Sequence, residues 1–331
     1  MRRAAGIFAV GLLIAVGMIS VPAASASPTG VSSCQTLASP GAYALTSDLT
    51  AVDATCIEIT ASDVTLDLAG HTMTCTGSGF EGSCQVPGAF TAHGVYVPPD
   101  LNLTGVVVKG PGTTKGFDNG VSIVGSDALV KGITITGPAC DPSDCVRPLS
   151  NGIVVVGTLI GDPTQGNADL GPANVSLAEN QVSNYARGII LIGPRCTGDA
   201  GCVLKDNVVQ DNFGQNNCVG IEAAGTTGYT LTRNVASFNG AFPSCFPGGG
   251  IGFTDGSTGN VVTRNNSANN RGLGIAVGPD TNGNLFTNNT ARGNTVADLF
   301  AFPGTENTWL DNNRCNTESG AVPSSVCNPG E

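Results

Sequence analysis

The chain has 331 residues, of which 14 are basic and 25 acidic, and it holds 47 glycines against one tryptophan and four tyrosines. A net charge of −11 disfavours nucleic acid and anionic membranes as partners, and a polyanionic sugar too unless the basic residues gather on one face. Charged residues at 12% beside 40% hydrophobic content suit a turn-rich β structure and exclude a disordered chain.

Residues 1–26 read as a secretory signal. Arg2 and Arg3 give a basic start, Ala4 to Val21 is mostly apolar, and Ala24-Ser25-Ala26 offers a small-residue cleavage site. Pro22 and that site follow the apolar run directly, which argues against a retained anchor. No later run approaches the roughly 20 apolar residues that span a bilayer. The expectation is a secreted, extracellular, monomeric protein with no membrane attachment once the signal is removed.

All twelve cysteines follow the signal, and an even count in an exported chain reads as disulfides. Neighbours pair naturally across insertions: Cys34–Cys56, Cys75–Cys84, Cys140–Cys145, Cys196–Cys202, Cys218–Cys245 and Cys315–Cys327. None has the Cys-x-x-Cys and His spacing of a thiolate metal site, so no metal is expected there. Residues 27–56 form an amino-terminal cap, extended and closed by Cys34–Cys56, and residues 318–331 close the far end as a tail tied back by Cys315–Cys327.

Residues 57–317 carry a repeat. Its starts read GIILIG at 188, GIEAAG at 220, GIGFTD at 250, GIAVGP at 274 and DLFAFP at 298, and the last intervals are 24 residues. A fixed period of this length means a solenoid, here of about nine to ten coils. Positions one and three after each start are apolar or small, as in Val95/Val97, Ile153/Val155, Ile251/Phe253 and Leu299/Ala301. That is the period-two mark of a short half-buried strand. A second apolar column runs Leu177, Leu204, Leu231, Val262, Phe286, Leu310, and three residues after most of its members stands an asparagine: Asn207, Asn234, Asn265, Asn289, Asn313. Asparagine tolerates left-handed backbone angles, and stacked at one corner its amides can bond from rung to rung. Insertions after Cys75, Pro138, Thr158, Pro194 and Ala241 would project as loops and wall a groove.

The repeat, and the opening phrase VTLDLAGHT (64–72) in which His71 follows a glycine in a structural turn, resemble the right-handed parallel β-helix of pectate lyases and polygalacturonases. The resemblance implies an all-β fold, a single-stranded right-handed parallel β-helix solenoid. It does not select an activity, since that fold hosts lyases, hydrolases, epimerases and adhesins.

Polygalacturonases carry their working residues just before the Gly-Ile-type strand. The matching positions here are His93, Asp118-Asn119, Ser150-Asn151 and Arg187. Glycoside hydrolysis needs two carboxyl groups flanking the bond, and Asp118 alone does not supply them. A uronate lyase needs a base and a cation or Ca²⁺ beside the sugar carboxylate. Glu179, Asp206, Arg233 and Arg264 share one register, with Lys205 beside Asp206, and offer such a set. The plainer account is a solvated ion ladder. Cys140-Asp-Pro-Ser-Asp-Cys145 resembles the Asp-Pro-His-Asp of mannuronan epimerases, with Ser143 in place of the histidine. A similarity to periplasmic copper-binding β-helix proteins is set aside for lack of soft ligands: after the signal there is one methionine, Met73, two histidines, and cysteines expected to be oxidised.

The reading is a non-catalytic binder of extracellular polysaccharide needing no cofactor. Its alternative is a lyase on acidic polysaccharide, Ca²⁺-assisted, with His93, Asp118, Arg187, Lys205, Asp206 and Arg233 as catalytic candidates and Asn119, Asn151, Glu179 and Arg264 as substrate contacts.

Overall fold

The computed structural model describes residues 27–77, 84, 92–125, 127–137, 150–157, 159–160, 169–170, 174–193, 203–205, 207–210, 219–240 and 248–327. The signal segment, the 140–145 phrase, Asp206 and the cysteines at 140, 145, 196, 202, 218 and 245 lie outside these residues. Within them the chain winds in one repeating order through three parallel sheets. The first has eleven strands from Thr29–Val31 to Thr308–Trp309, the second nine from Leu49–Val52 to Thr290–Arg292, and the third eleven from Gln35–Leu37 to Glu318–Gly320. The nine-stranded sheet sets nine complete coils, with partial coils at each end. The fold is therefore the expected parallel β-helix, with three short strands per turn. Its sheets extend past 57–317, to Thr29 and Gly320.

The apolar columns form the interior. Val95, Val121, Ile153, Ile189, Ile221, Ile251, Ile275 and Leu299 stand in unbroken register on the third sheet, each at most 1% exposed. Fully burying one such side chain contributes about 1.5–3 kcal/mol. On the first sheet Leu177, Leu204, Leu231, Val262 and Phe286 pair likewise. Their next member is Trp309, not the expected Leu310. The last coil has one extra residue before Asn313, and a one-residue shift moves a strand's side chains to the opposite face. Trp309 stacks on Phe286 at 4.1 Å while Leu310 is exposed.

The asparagine column is a ladder that begins one coil earlier than the sequence spacing suggested. From Asn180 through Asn207, Asn234, Asn265 and Asn289 to the last member, Asn313, each Nδ2–H is donated to the next Oδ1 at 2.9–3.0 Å. The same oxygens accept the preceding asparagine's backbone N–H. Two further corners carry Asn239–Asn270–Asn294–Asp298 and Asn260–Asn284–Asn307. The left-handed backbone falls one residue before the first ladder, at Glu179, Arg233, Arg264 and Asn288, with φ between 55° and 58°. Asparagine is thus used here for its amide and not for its backbone tolerance. Disulfides Cys34–Cys56, Cys75–Cys84 and Cys315–Cys327 are formed as expected.

Candidate functional site

The glycine that opens each third-sheet strand decides what faces outward. A Cβ on Gly120 would run into Ile135 and one on Gly152 into Val182, so these glycines point inward. The isoleucine or valine that follows points inward too. Two successive inward residues break the alternation of the strand, and the residue before the glycine turns outside. Hence His93, Asn119, Asn151 and Arg187 form one outward column, paired in register from coil to coil. Three residues further on, a second outward column runs Tyr96, Ser122, Val154, Ile190, Glu222, Gly252, Ala276, Phe300.

Four of the sequence-derived candidates therefore meet on one face. Asn151 Nδ2 donates to Asn119 Oδ1 at 2.9 Å, and Asn119 Nδ2 lies 3.4 Å from His93 Nδ1. An amide nitrogen only donates, so Nδ1 accepts and His93 carries its proton on Nε2. Its ring stacks on Tyr96 at 4.3 Å. Arg187 Nε stands 3.3 Å from Glu222 Oε2 on the next coil, with side chains 15% and 10% exposed. Among the described residues, Asn151 Oδ1 is a buried oxygen without a hydrogen-bond partner, and Glu222 Oε2 has none beyond its ionic contact with Arg187. Burial pushes the Glu222 carboxyl above its ordinary range; Arg187 opposes that and Asp255 adds to it.

Glu222 escaped the sequence reading, which scored the apolar Ile221 and Ala223 on either side and gave the residue between them no meaning. The signal was present: GIEAAG is the repeat start that carries a charge at the outward position.

The other candidates lie elsewhere. Asp118 Oδ2 accepts the backbone N–H of Ala92, and Ser150 Oγ that of Ala186, so both clamp adjacent coils. Glu179, Arg233 and Arg264 occupy exposed left-handed corners between the first and second sheets, where Glu179 meets Lys131 at 3.3 Å with both about half exposed. Lys205 belongs to a first-sheet strand and pairs with Ala178 and Thr232, so its register is that of the residue before the charged corner. The lyase set is divided between two corners of the coil.

His93 is 8% exposed, and burial lowers its pKa to about 4 from an ordinary 6.5. The sign follows: the folded state keeps the ring neutral, so its contribution is complete above pH 6.5 and is lost as pH falls towards 4. That window corresponds to a loss on the order of 3 kcal/mol. The His93→Gln variant is expected to lose less stability than the parent between pH 7 and pH 4 in urea melts. Parallel pH profiles for the two would show that His93 is not held neutral by the fold.

Among the described residues, Met73 and the two histidines stand apart from one another. Met73 is wholly inside the core, His71 Nδ1 sits 3.3 Å from an Asp48 carboxylate oxygen, and His93 is on the third-sheet face. Among the described residues one group of three potential ligands gathers, Cys315, Glu318 and Cys327, and its two sulfurs are bonded to each other.

Among solved structures, the chain is similar to a double mutant of the periplasmic alginate epimerase AlgG, at 14% identity and TM-score 0.47 over 83% of this chain and 53% of that one. It is also similar to DFA-IIIase from Arthrobacter chlorophenolicus A6, at 14% identity and TM-score 0.41 over 82% of each chain. A third likeness is to the GH136 lacto-N-biosidase from Eubacterium ramulus, at 11% identity and TM-score 0.37 over 85% of this chain and 48% of that one. The chain spans about half the length of the AlgG chains it matches. No curated protein matches it. The family model described as "Periplasmic copper-binding protein (NosD)" matches residues 119–325, well over half of the sequence, and the chain belongs to the NosD family.

Proposed function

We propose that the protein binds carbohydrate outside the cytoplasm, without chemistry, on the outward face of its third sheet. The observation that carries this reading is the convergence of His93, Asn119, Asn151, Arg187 and Glu222 on one face. Arg187 is answered by Glu222, and His93 is held neutral, so the hydrogen-bonding groups of this face, largely buried at 5–8% exposure for Asn119, His93 and Glu222, carry little uncompensated charge. That favours the hydroxyls of a neutral sugar over a uronate. The division of the lyase candidates between two corners also supports binding over β-elimination.

Copper fits poorly. The family's description names it, but Met73 lies in the core, the two histidines stand on different parts of the coil, and the described cysteines are paired in disulfides. Soft thiolate or thioether donors are what would select copper(I).

The test is retention of the mature protein in native gels cast with dextran, xylan, mannan, galactan, pectate or alginate, paired with absorbance near 235 nm on the last two, with and without Ca²⁺. The expected result is retardation by a neutral polysaccharide and silence at 235 nm. The Asn151→Ala variant should bind about tenfold more weakly, the loss of one hydrogen bond's worth of free energy. New absorbance would identify an unsaturated product and make the protein a lyase.

A further inference from the structure

The outward column that holds Glu222 continues through Gly252, Ala276 and Phe300, one rung of about 4.8 Å at a time. Past Glu222 its character changes from polar to apolar. Gly252, Thr254, Ala276, Pro279, Phe300 and Phe302 line a cleft of about 110 Å³. Leu273, Ala276 and Ala297 pack with Phe300 as a small apolar cluster separate from the main core. Phe302 stands at the rim, 43% exposed, in a chain with only 5% aromatic residues.

Gly252 is the unusual residue. Its neighbours Gly249 and Gly250 have no room for a side chain: a Cβ would run into the Leu273 carbonyl at the first and Ser267 Oγ at the second. A Cβ on Gly252 would meet nothing nearer than Val219 Cγ1 at 3.6 Å, an ordinary contact, and its φ is not in the left-handed range. Glycine weakens a strand interior, and neither packing nor backbone geometry calls for it here. What the missing side chain leaves is the space between Glu222 and Ala276.

We propose that this cleft is an apolar subsite for the C–H face of a sugar ring, held open by Gly252, floored by Phe300 and edged by Phe302, next to the polar groups of Arg187 and Glu222. It rests on the carbohydrate-binding reading and adds where along the sheet the ligand lies. Successive sugar units present their hydroxyls to Asn151, Arg187 and Glu222. A unit further along the coil axis, beyond the rungs of Gly252 and Ala276, lays its carbon face on the phenyl rings, with its hydroxyl edges in water.

The experiment takes the polysaccharide that retards the wild-type protein in the native gels above and measures its affinity for Gly252→Val, Phe302→Ala and Asn151→Ala. Gly252→Val fills the cleft from a position with room for the side chain, and valine suits a strand. Its thermal midpoint should be unchanged or higher while affinity falls at least tenfold. Phe302→Ala, at an exposed site, should fall similarly with its fold intact, and it decides the matter if the valine variant folds poorly. If both bind as the wild type does and Asn151→Ala binds weakly, the subsite is refuted while the polar site stands. If no polysaccharide retards the wild-type protein, both proposals fall.

Discussion

Replacing Asn265 by alanine is expected to cost about 4 kcal/mol, because it removes four buried hydrogen bonds at about 0.5–1.5 kcal/mol each and leaves the groups that made them short of a partner. Asn265 Nδ2 donates to the Leu231 carbonyl at 2.9 Å and to Asn289 Oδ1 at 3.0 Å, and its Oδ1 accepts Asn234 N–H and Asn234 Nδ2–H, both at 3.0 Å. All of this happens at 1% exposure, where water offers no replacement. Aspartate would serve no better, since a carboxylate accepts but does not donate, and it would bring a buried charge. The control is Asn312, one residue from the end of the same ladder. It bonds Thr287 and Asn288 through an exposed Oδ1, so Asn312→Ala should cost under about 1 kcal/mol. A solenoid can lose its coils piecemeal, so the readout is the urea midpoint together with hydrogen exchange at Asn234 and Asn265. Equal effects at 265 and 312 would mean that the ladder does not hold the coils together.

The fold was legible because its determinants are local and repeated. A strand of four or five residues marks itself by alternation, and a corner asparagine marks itself by recurrence at 24 residues. Errors arose where a single residue upsets the count. Trp309 replaced Leu310 because the last first-sheet strand arrives one residue early, with one more residue between it and Asn313, while the asparagine spacing is unchanged; period counting cannot register that. The left-handed residue was assigned to the asparagine because side-chain type is visible in a sequence and the place where the chain bends is not. The candidate face was half legible. His93, Asn119, Asn151 and Arg187 were found because each precedes the glycine that turns it outward. Glu222 was not, because its importance depends on facing Arg187 from the next coil, 35 positions away along the chain. Glu179, Arg233 and Arg264 were rightly seen as one column, but a column's place among the three corners depends on how the insertions are absorbed.

Arg187→Ala should be the most damaging single change on the candidate face, and its effect should grow with pH. The pair is largely buried, at 15% and 10% side-chain exposure, so removing the guanidinium leaves a carboxylate with no counter-charge in a dry setting. Breaking such a pair typically costs about 3–5 kcal/mol. The pH dependence follows from Glu222, whose carboxyl is already raised by burial and is held down by Arg187. A carboxyl raised in the folded state binds its proton more tightly there than in the unfolded chain, so stability falls as pH rises from the unfolded value through the folded one. Removing Arg187 lifts the folded value further, which widens that window upward. At pH 4, where Glu222 is protonated in the fold, the variant should lie close to the parent. At pH 7 it should show most of its loss. Arg187→Met combined with Glu222→Leu removes both charges and keeps the volume, and should recover stability near the parental level while still failing to bind carbohydrate. A loss that is constant from pH 4 to pH 8 would show that Arg187 contributes through packing of its stem and not through its charge on Glu222.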